Sequence, residues 1–335
     1  MKAYQIDRFD GIDGWSLRER ETPQPGANEV LLRMRASALN YRDLLILRGR
    51  YPLPANAGVV ALSDGAGEVA AVGSGVTRLA VGDRVACSYY PRWLDGRLTT
   101  ELAMEQFGCT RDGMLAEYVL ADEPAVVKIP PHLSFEEGAT LPCAAVTAWS
   151  SLTGPRPVLP GETLLTIGTG GVALFALQFA QLFGVRVIAL TSSGPKADLL
   201  RSLGADEVVN YQEQPDWHRA VRQFTRGRGV DHVVETGGVH TLAKSLACCA
   251  SDGHVALVAT LGAGGSIDAR QLASMELVNR VFVGSRASFE AMNRAIQVHA
   301  LRPVVDRVFA FKNAVDALLH FEARHHVGKV VIAGA

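Results

Sequence analysis

One short segment of the sequence places small residues at a spacing that suits phosphate binding. It reads Gly168, Thr169, Gly170, Gly171, Val172 and Ala173. In the G-x-G-x-x-G/A pattern the first glycine makes a tight turn, the second lets the backbone approach a pyrophosphate, and the last small residue lets a helix pack on a strand. Free N–H groups and the positive helix end then face the phosphate. The segment follows a β-branched run and predicts a dinucleotide-binding loop. The alternative is a purely structural glycine turn.

A second polar group lies about 20 residues farther along, where the next strand of such a unit ends. An NAD site usually offers Asp or Glu to the ribose hydroxyls there, whereas this chain has Thr191, Ser192 and Ser193, followed by Lys196. Hydroxyl donors and a cation suit a 2′-phosphate, which a carboxylate would repel. The sequence therefore favours NADPH over NADH. The alternative is that Lys196 is an ordinary solvated lysine.

The segments that must position these residues alternate between short β-branched runs and helical stretches from about residue 160. The runs start 21 to 26 residues apart, which is the repeat of βα units and hence of a parallel sheet covered by helices on both faces. Six strands complete a doubly wound sheet. The predicted strands are Thr163–Ile167, Arg186–Leu190, Glu207–Asn210, Asp231–Glu235, His254–Ala259 and Arg280–Val283.

The regions on either side of this repeat have a different pattern of apolar and turn residues. In the first 140 residues, short apolar runs are separated by Gly, Pro and Asp turns, which is typical of an antiparallel β-barrel. The tail reads as a helix, a strand, a second helix and a closing strand, Lys329–Ile332. We therefore expect a catalytic domain in residues 1–145, a dinucleotide-binding domain in 146–287, and a return of 288–335 to the first domain.

The composition limits the classes of partner. Lys and Arg number 33 and Asp and Glu number 34 in 335 residues, which gives a net charge of −1. No electrostatic basis exists for binding nucleic acid or an anionic membrane surface, so the expected partner is a small molecule. The first residues contain no apolar signal region, and five cysteines do not make a disulfide framework in a chain of this length. Both features predict a cytoplasmic protein.

Several further motifs are spread along the chain. They are Asn40–Asp43, Gly65–Val69, Val81–Val85, Ala139–Pro142, Thr147–Trp149, Leu203–Asp206, Asn210–Tyr211 and Gly328–Val331. With the glycine loop, they resemble the medium-chain dehydrogenase/reductase superfamily over nearly the whole chain, and within it the zinc-independent branch similar to quinone oxidoreductases. The resemblance implies an α/β protein with a GroES-like β-barrel catalytic domain and a six-stranded Rossmann domain. It also implies hydride transfer from or to a nicotinamide.

The same resemblance assigns cofactor contacts to residues far apart in the sequence. Tyr211 would join the two serines and the lysine named above around the 2′-phosphate and adenine. Lys329 stands where a cation reaches the pyrophosphate, and Thr147 and Leu261 stand beside the nicotinamide. Asn40 could also hold the cofactor. The alternative for each residue is ordinary packing or surface charge.

Zinc-binding members of the superfamily carry metal ligands that this chain lacks. They have Cys where Asn40 stands, His-Glu where Ser63 and Asp64 stand, and Cys where Cys143 stands. A catalytic zinc ion needs about three protein ligands of the Cys, His or carboxylate type. Asp64 and Cys143 fall short of that number, so we expect no zinc.

Without a metal, the negative charge that develops on a substrate must be met by hydrogen-bond donors or by a proton. Tyr41 can donate a phenolic proton, and Arg42 can supply fixed positive charge. Asp64 belongs to the same polar set, and Asp43 could orient Arg42. The alternative is that Arg42 pairs with Asp43 or Asp64 in a purely structural contact inside the barrel.

Three functions agree with these residues. The favoured one is an NADPH-dependent reductase of quinones, enones or related activated carbonyls that works without zinc. An alcohol or aldehyde dehydrogenase of the same superfamily is the first alternative. A non-catalytic NADPH-binding structural or sensor protein is the second.

The last predicted strand bears on assembly. Arg280–Val283 would be the exposed apolar edge of the sheet, and an uncovered edge invites pairing with another chain. Relatives in the superfamily similarly pair through this strand. We therefore expect a two-fold homodimer.

Overall fold

The computed structural model describes residues 1–259 and 276–334. The chain divides into two compact units. Unit 1 comprises Met1–Val146 and Gly284–Ala335, and unit 2 comprises Thr147–Val283. These divisions lie one residue and four residues from the boundaries expected at 145 and 287. The expected nicotinamide contact Leu261 lies outside the described residues.

Strands and short helices alternate along the described chain. The strands are β1 (Lys2–Ile6), β2 (Trp15–Glu19), β3 (Glu29–Ala38), β4 (Val59–Val60), β5 (Asp64–Val72), β6 (Arg84–Cys87), β7 (Tyr118–Asp122), β8 (Val126–Lys128), β9 (Thr163–Ile167), β10 (Arg186–Thr191), β11 (Glu207–Asn210), β12 (Val230–Glu235), β13 (Cys249–Leu257), β14 (Leu277–Arg280), β15 (Val305–Ala310) and β16 (Lys329–Ala333). The helices are α1 (Tyr41–Leu47), α2 (Thr100–Ala103), α3 (Phe135–Ala139), α4 (Val146–Thr153), α5 (Gly171–Leu182), α6 (Gly194–Ser202), α7 (Trp217–Phe224), α8 (Leu242–Cys248), α9 (Arg286–Val298) and α10 (Ala314–Glu322).

Unit 2 contains a six-stranded parallel sheet in the order β11-β10-β9-β12-β13-β14. The chain starts at the central strand β9, builds outwards to β11, then returns to β12 beside β9. This is the doubly wound Rossmann order, and it confirms the α/β prediction. The central strand β9 and its neighbour β10 are apolar and buried on both faces, as the β-branched runs indicated.

The edge strand β14 lies earlier in the sequence than predicted. The sequence placed it at Arg280–Val283, whereas β14 spans Leu277–Arg280. Leu257, the last residue of β13, pairs with Arg280, so the neighbouring strand ends where the predicted strand began. Val283 adopts a positive φ of 51°, which is incompatible with an extended strand. The apolar run therefore continues past the end of the strand.

The helix after the glycine loop is buried along its middle. Phe175 and Phe179 of α5 are fully buried, whereas Val172 and Phe183 at its two ends are only partly covered. The ring of Phe179 also contacts the ring of Trp149 in α4, with centroids 5.5 Å apart. This contact packs the middle of α5 against α4.

Unit 1 contains a seven-stranded sheet and a three-stranded sheet. In the larger one the order is β15-β16-β3-β5-β6-β8, with β7 paired to β3, and in the smaller one it is β2-β1-β4. The strands from the first part of the chain pair antiparallel, as their turn-rich texture predicted. β16 from the C-terminal segment pairs antiparallel with β3, so the tail completes this sheet. The described helices include none with the length and apolar character that crossing a membrane requires.

Candidate active site

The glycine loop presents open backbone at the end of β9. Gly168 adopts φ of +81°, a left-handed conformation that side chains disfavour, and its N–H donates to the carbonyl of Leu190 at 2.9 Å. Gly170 is the N-cap residue of α5, with φ −76° and ψ 172°, and a Cβ built there would meet no atom within 4 Å. The first N–H groups of a helix have no intrahelical partner. The loop thus offers donors and free space together, which suits a pyrophosphate.

The next strand brings the expected 2′-phosphate residues to one place. Ser193 is the residue before α6, and its side chain makes no hydrogen bond to that helix. Ser192 precedes it, and Lys196 lies in the first turn of α6, partly exposed. Tyr211 donates its backbone N–H to Thr191 at 2.9 Å, which places it beside the end of β10. The backbone therefore brings Ser192, Ser193, Lys196 and Tyr211 to the same end of β10.

The remaining predicted contact in unit 2 is less accessible. Thr147 lies in α4, is only 4 % exposed, and accepts the hydroxyl of Ser151 at its carbonyl at 2.8 Å. Thr169 of the glycine loop is also buried.

In unit 1, residues expected at the metal-ligand positions lie together. Lys329, on β16, is 2 % exposed and donates from Nζ to Asn40 Oδ1 and to the carbonyl of Leu39, both at 2.6 Å. Asp64 is fully buried and accepts the hydroxyl of Ser63 at 2.7 Å and the backbone N–H of Cys143 at 3.1 Å. We call Asn40, Ser63, Asp64, Cys143 and Lys329 the polar cluster. Lys329 reaches Asn40 here, and a contact with the pyrophosphate stays a prediction.

Burial and charge set the protonation of the two carboxyl groups near this cluster. Burial raises the pKa of Asp64, and the positive charge of Lys329 opposes that rise. Burial also raises the pKa of Asp43 to about 6, against the opposing charge of Arg42. Asp43 Oδ2 accepts the backbone N–H of Asn40 at 2.8 Å, so this carboxylate holds the first turn of α1.

A zinc ion does not fit the polar cluster. An ammonium group is hydrogen bonded to Asn40, and both oxygens of Asp64 already accept hydrogen bonds. Burial raises the pKa of the Cys143 thiol, which disfavours the thiolate that zinc binds. In residues 1–259 and 276–334, no group of three or more His, Cys, Asp or Glu side chains is arranged to hold a metal ion. The cationic side chain beside Asn40 is that of Lys329.

Arg42 belongs to a network that the sequence did not reveal. Its Nη1 donates to the carbonyl of Phe107 at 2.8 Å, and its guanidinium lies over the rings of Tyr51 and Tyr89, 5.2 and 4.8 Å from their centroids. The two phenol oxygens are 2.8 Å apart, and both contact Gln106 Oε1. We call Arg42, Tyr51, Tyr89 and Gln106 the tyrosine network. These residues are far apart in sequence, so no local spacing could have indicated them.

The same contacts restrict the role of Arg42. Neither Asp43 nor Asp64 forms an ion pair with it within 4 Å among the described residues. Its charge is held by a carbonyl, an amide and two aromatic faces, which fixes its position firmly.

Tyr41 lies on the opposite, exposed side of α1. It is 48 % exposed, and its phenol oxygen accepts a hydrogen bond from Arg324 Nη2 at 3.1 Å. The Arg324 guanidinium also lies 5.3 Å from the centre of the Tyr41 ring. Since the oxygen accepts this bond, the phenolic proton stays available for donation. By contrast, Gln106 engages the hydroxyl of Tyr51.

Comparison with known proteins places the chain in a family. Residues 26–131 match the alcohol dehydrogenase GroES-like domain, and residues 171–298 match the zinc-binding dehydrogenase domain. A zinc-type alcohol dehydrogenase-like protein of Schizosaccharomyces pombe is 40 % identical, over 97 % of each chain. A quinone oxidoreductase of Pseudomonas aeruginosa is 32 % identical, over 99 % of each chain.

Solved structures agree with these relatives. An NAD-dependent alcohol dehydrogenase superimposes with a TM-score of 0.90 at 32 % identity, and a mycobacterial protein complexed with NADPH does so with 0.83 at 29 % identity. Both alignments cover all of this chain and all of the other. The predicted GroES-like and Rossmann fold is thereby confirmed, as is the resemblance to the medium-chain dehydrogenase/reductase superfamily. The chain belongs to the medium-chain dehydrogenase/reductase superfamily and is an NAD(P)H-dependent oxidoreductase of small molecules.

Proposed function

We propose that this oxidoreductase uses NADPH, works without zinc, and reduces quinones, enones or related activated carbonyls. The observation that carries the proposal is the buried Lys329 ammonium, bound to Asn40 where zinc relatives place a metal ligand. A fixed cation stabilises developing negative charge without a metal. Activated carbonyls need less polarisation than simple aldehydes, because their reduced forms delocalise the charge.

The cofactor preference is supported by the residues after β10. The nicotinamide of NADPH supplies the hydride, and the chain's task is to hold the cofactor in place. The open backbone at Gly170 receives the pyrophosphate, while Ser192, Ser193 and Lys196 receive the 2′-phosphate. The mycobacterial structure with NADPH favours this choice, and the NAD-dependent relative keeps NADH as the alternative.

The proton is proposed to come from Tyr41. Its oxygen accepts a hydrogen bond from Arg324, so the phenolate left after proton donation faces a cation. Arg42 and Lys329 contribute fixed positive charge inside unit 1. Asp64, held by Ser63 and Cys143, balances the charge of Lys329 rather than donating a proton itself.

Steady-state oxidation of NADPH and of NADH with a panel of quinones, enones and aldehydes tests the proposal. We expect turnover with quinones or enones and a preference for NADPH. Metal analysis after mild dialysis should find less than about 0.1 zinc ion per chain, whereas a zinc enzyme would hold about one catalytic ion. Preferred oxidation of alcohols with bound zinc would support the alcohol dehydrogenase alternative. Tight NADPH binding with no turnover on any substrate would support a sensor.

The assembly is proposed to be a homodimer through β14. This strand is one edge of the described sheet in unit 2, and its first residue Leu277 and the following Phe282 are 40 % and 45 % exposed. An apolar edge of this kind is protected when it pairs with a second copy. Light scattering at micromolar concentration should give twice the mass of one chain, and a monomer would contradict this part of the proposal. The cytoplasmic location expected from the sequence stays a prediction.

A further inference from the structure

The last residue of β12 carries a buried carboxylate. Glu235 is fully buried, and its Oε1 accepts hydrogen bonds from the N–H groups of Gly237 and Gly238 at 2.7 and 2.9 Å. The Thr241 hydroxyl donates to the same oxygen at 2.6 Å, and the Ser245 hydroxyl donates to Oε2. Burying a carboxylate is costly unless donors compensate it. Four donors on one group show that this segment is built around Glu235.

These bonds fix the chain from residue 236 to α8. The two glycines form the turn after the strand, Thr241 precedes α8, and Ser245 lies inside it. A Cβ added at Gly237 would lie 2.2 Å from the Thr241 oxygen, so the turn closes tightly on the same hydroxyl. We call residues 236–241 the β12 loop.

The β12 loop lies directly beside the glycine loop. β12 pairs with β9 in parallel, so the ends of the two strands meet at one edge of the sheet. The Thr236 hydroxyl donates to the carbonyl of Ile167 at 2.7 Å, and Ile167 is the residue before Gly168. The chain winds away from β9 in opposite directions towards β10 and β12. In open α/β sheets, ligands bind in the crevice at such a reversal of strand order.

We propose that Glu235 is a positioning residue for the dinucleotide: its carboxylate holds the β12 loop as the second wall of the crevice that the glycine loop opens. This inference rests on the proposed use of NADPH. Glu235 itself touches no ligand and acts through Thr241, Gly237 and Gly238. A loosened β12 loop should therefore weaken cofactor binding without slowing the reaction of the bound complex.

The opposite end of the same strand offers a matched control. Asp231 is also buried on β12, and it accepts the N–H of Thr163 at 2.7 Å and hydrogen bonds from Arg228. It stabilises unit 2 with comparable contacts, but it lies at the edge of the sheet away from the glycine loop. If Glu235 only stabilised unit 2, substitution of Asp231 would weaken NADPH binding as much as substitution of Glu235. If Glu235 positions the β12 loop, only its own substitution weakens NADPH binding.

The test compares Glu235→Gln, Thr241→Val, Thr241→Ser and Asp231→Asn in the full chain. Fluorescence titration gives Kd for NADPH, steady-state kinetics separate KM from kcat, and thermal melting reports stability. We expect Glu235→Gln and Thr241→Val to raise Kd and KM for NADPH about tenfold, with kcat within about twofold, because charge-assisted bonds to the loop are lost. Thr241→Ser keeps the hydroxyl and should bind like the wild type. Asp231→Asn should lower the melting temperature and leave Kd unchanged.

Three outcomes would overturn the inference. One is unchanged NADPH affinity in both Glu235→Gln and Thr241→Val. Another is an equal loss of affinity in Asp231→Asn, which would show a general effect of stability. A third is a wild-type protein that binds neither NADPH nor NADH, and this result alone would also overturn the proposed function. If Glu235→Gln does not fold, the pair Thr241→Val and Thr241→Ser decides the matter.

Discussion

The glycine loop of unit 2 and the polar cluster of unit 1 are built in opposite ways. The glycine loop is six consecutive residues whose open backbone is proposed to bind the pyrophosphate, and its glycines leave space because they carry no side chain. The polar cluster joins residues at the start of α1, the start of β5, the turn before α4 and the start of β16, and it consists of polar and charged side chains. A site made of backbone is local in sequence, whereas a site made of side chains depends on the whole fold.

This difference predicts how each region responds to substitution. In the glycine loop an added side chain should block the ligand while the fold survives. In and beside the polar cluster, charged groups act on one another: the charge of Lys329 opposes the rise in the pKa of Asp64, and the charge of Arg42 opposes the rise in the pKa of Asp43. Substitutions in the two regions can therefore be told apart by whether they change ligand affinity, turnover or the pH dependence of stability.

The largest expected effect is that of Gly170→Val. The backbone at this residue lies in the β region, which valine tolerates, and no atom lies within 4 Å of the added Cβ. The fold should therefore melt at the wild-type temperature. The valine methyls would take the space of the pyrophosphate, so NADPH affinity should fall on the order of 10³-fold. Titration calorimetry measures the loss, and unchanged affinity would show that the pyrophosphate lies elsewhere.

Tyr41→Phe should lower turnover and leave the affinity for NADPH unchanged. A positioned general acid contributes about 10²- to 10⁴-fold, so enone and aldehyde turnover should fall by about 10² or more. Quinone turnover should fall less, because the reduced quinone is stabilised by its ring and takes protons from water. Stopped-flow assays with both substrate classes check this. The matched variant is Tyr51→Phe, and a loss confined to that variant would move the proton donor to the tyrosine network.

The contrast between backbone and side-chain sites also sets what the sequence could reveal. Glycine spacing, the βα repeat and the position of Lys196 are local patterns, so they predicted the loop, the six-stranded sheet and the polar end of β10. Tyr51 and Gln106 have no local pattern, because they come from segments brought together by folding. The donors to Glu235 lie within ten residues of it, but they follow no spacing that marks a motif. The displacement of β14 has the same cause, since a strand ends where its neighbour ends.

Lys196→Ala should weaken the binding of NADPH and leave the binding of NADH unchanged. The residue lies in the first turn of α6, beyond the serines at the end of β10. A charge-assisted hydrogen bond is worth about 1.5–3 kcal/mol, which corresponds to about 10- to 150-fold weaker NADPH binding. NADH has no 2′-phosphate and should bind as before. Equal losses for the two cofactors would contradict the proposed preference for NADPH.

The smallest expected effect is the pH dependence that Asp43 adds to stability. Burial raises its pKa to about 6 from an ordinary value of 3.8, so the folded chain binds this proton more tightly than the unfolded chain. Stability from the protonated group is therefore present at low pH and is lost as pH rises through about 6. Two pKa units make the loss between pH 4 and 7 about 2 kcal/mol.

Asp43→Asn should remove that loss and leave the first turn of α1 in place, because an amide oxygen can still accept the N–H of Asn40. Urea unfolding of both proteins at pH 4, 5, 6 and 7 gives the free energies, and the wild type should lose stability relative to the variant as pH rises. Asp10→Asn is the control, since Asp10 is exposed and its only ion pair is with the exposed Arg8 among the described residues. Parallel pH curves for the wild type and Asp43→Asn would show that Arg42 keeps Asp43 ionised throughout. The polar cluster and its surroundings would then carry fixed charges only, and the coupling that distinguishes this region from the glycine loop would be absent.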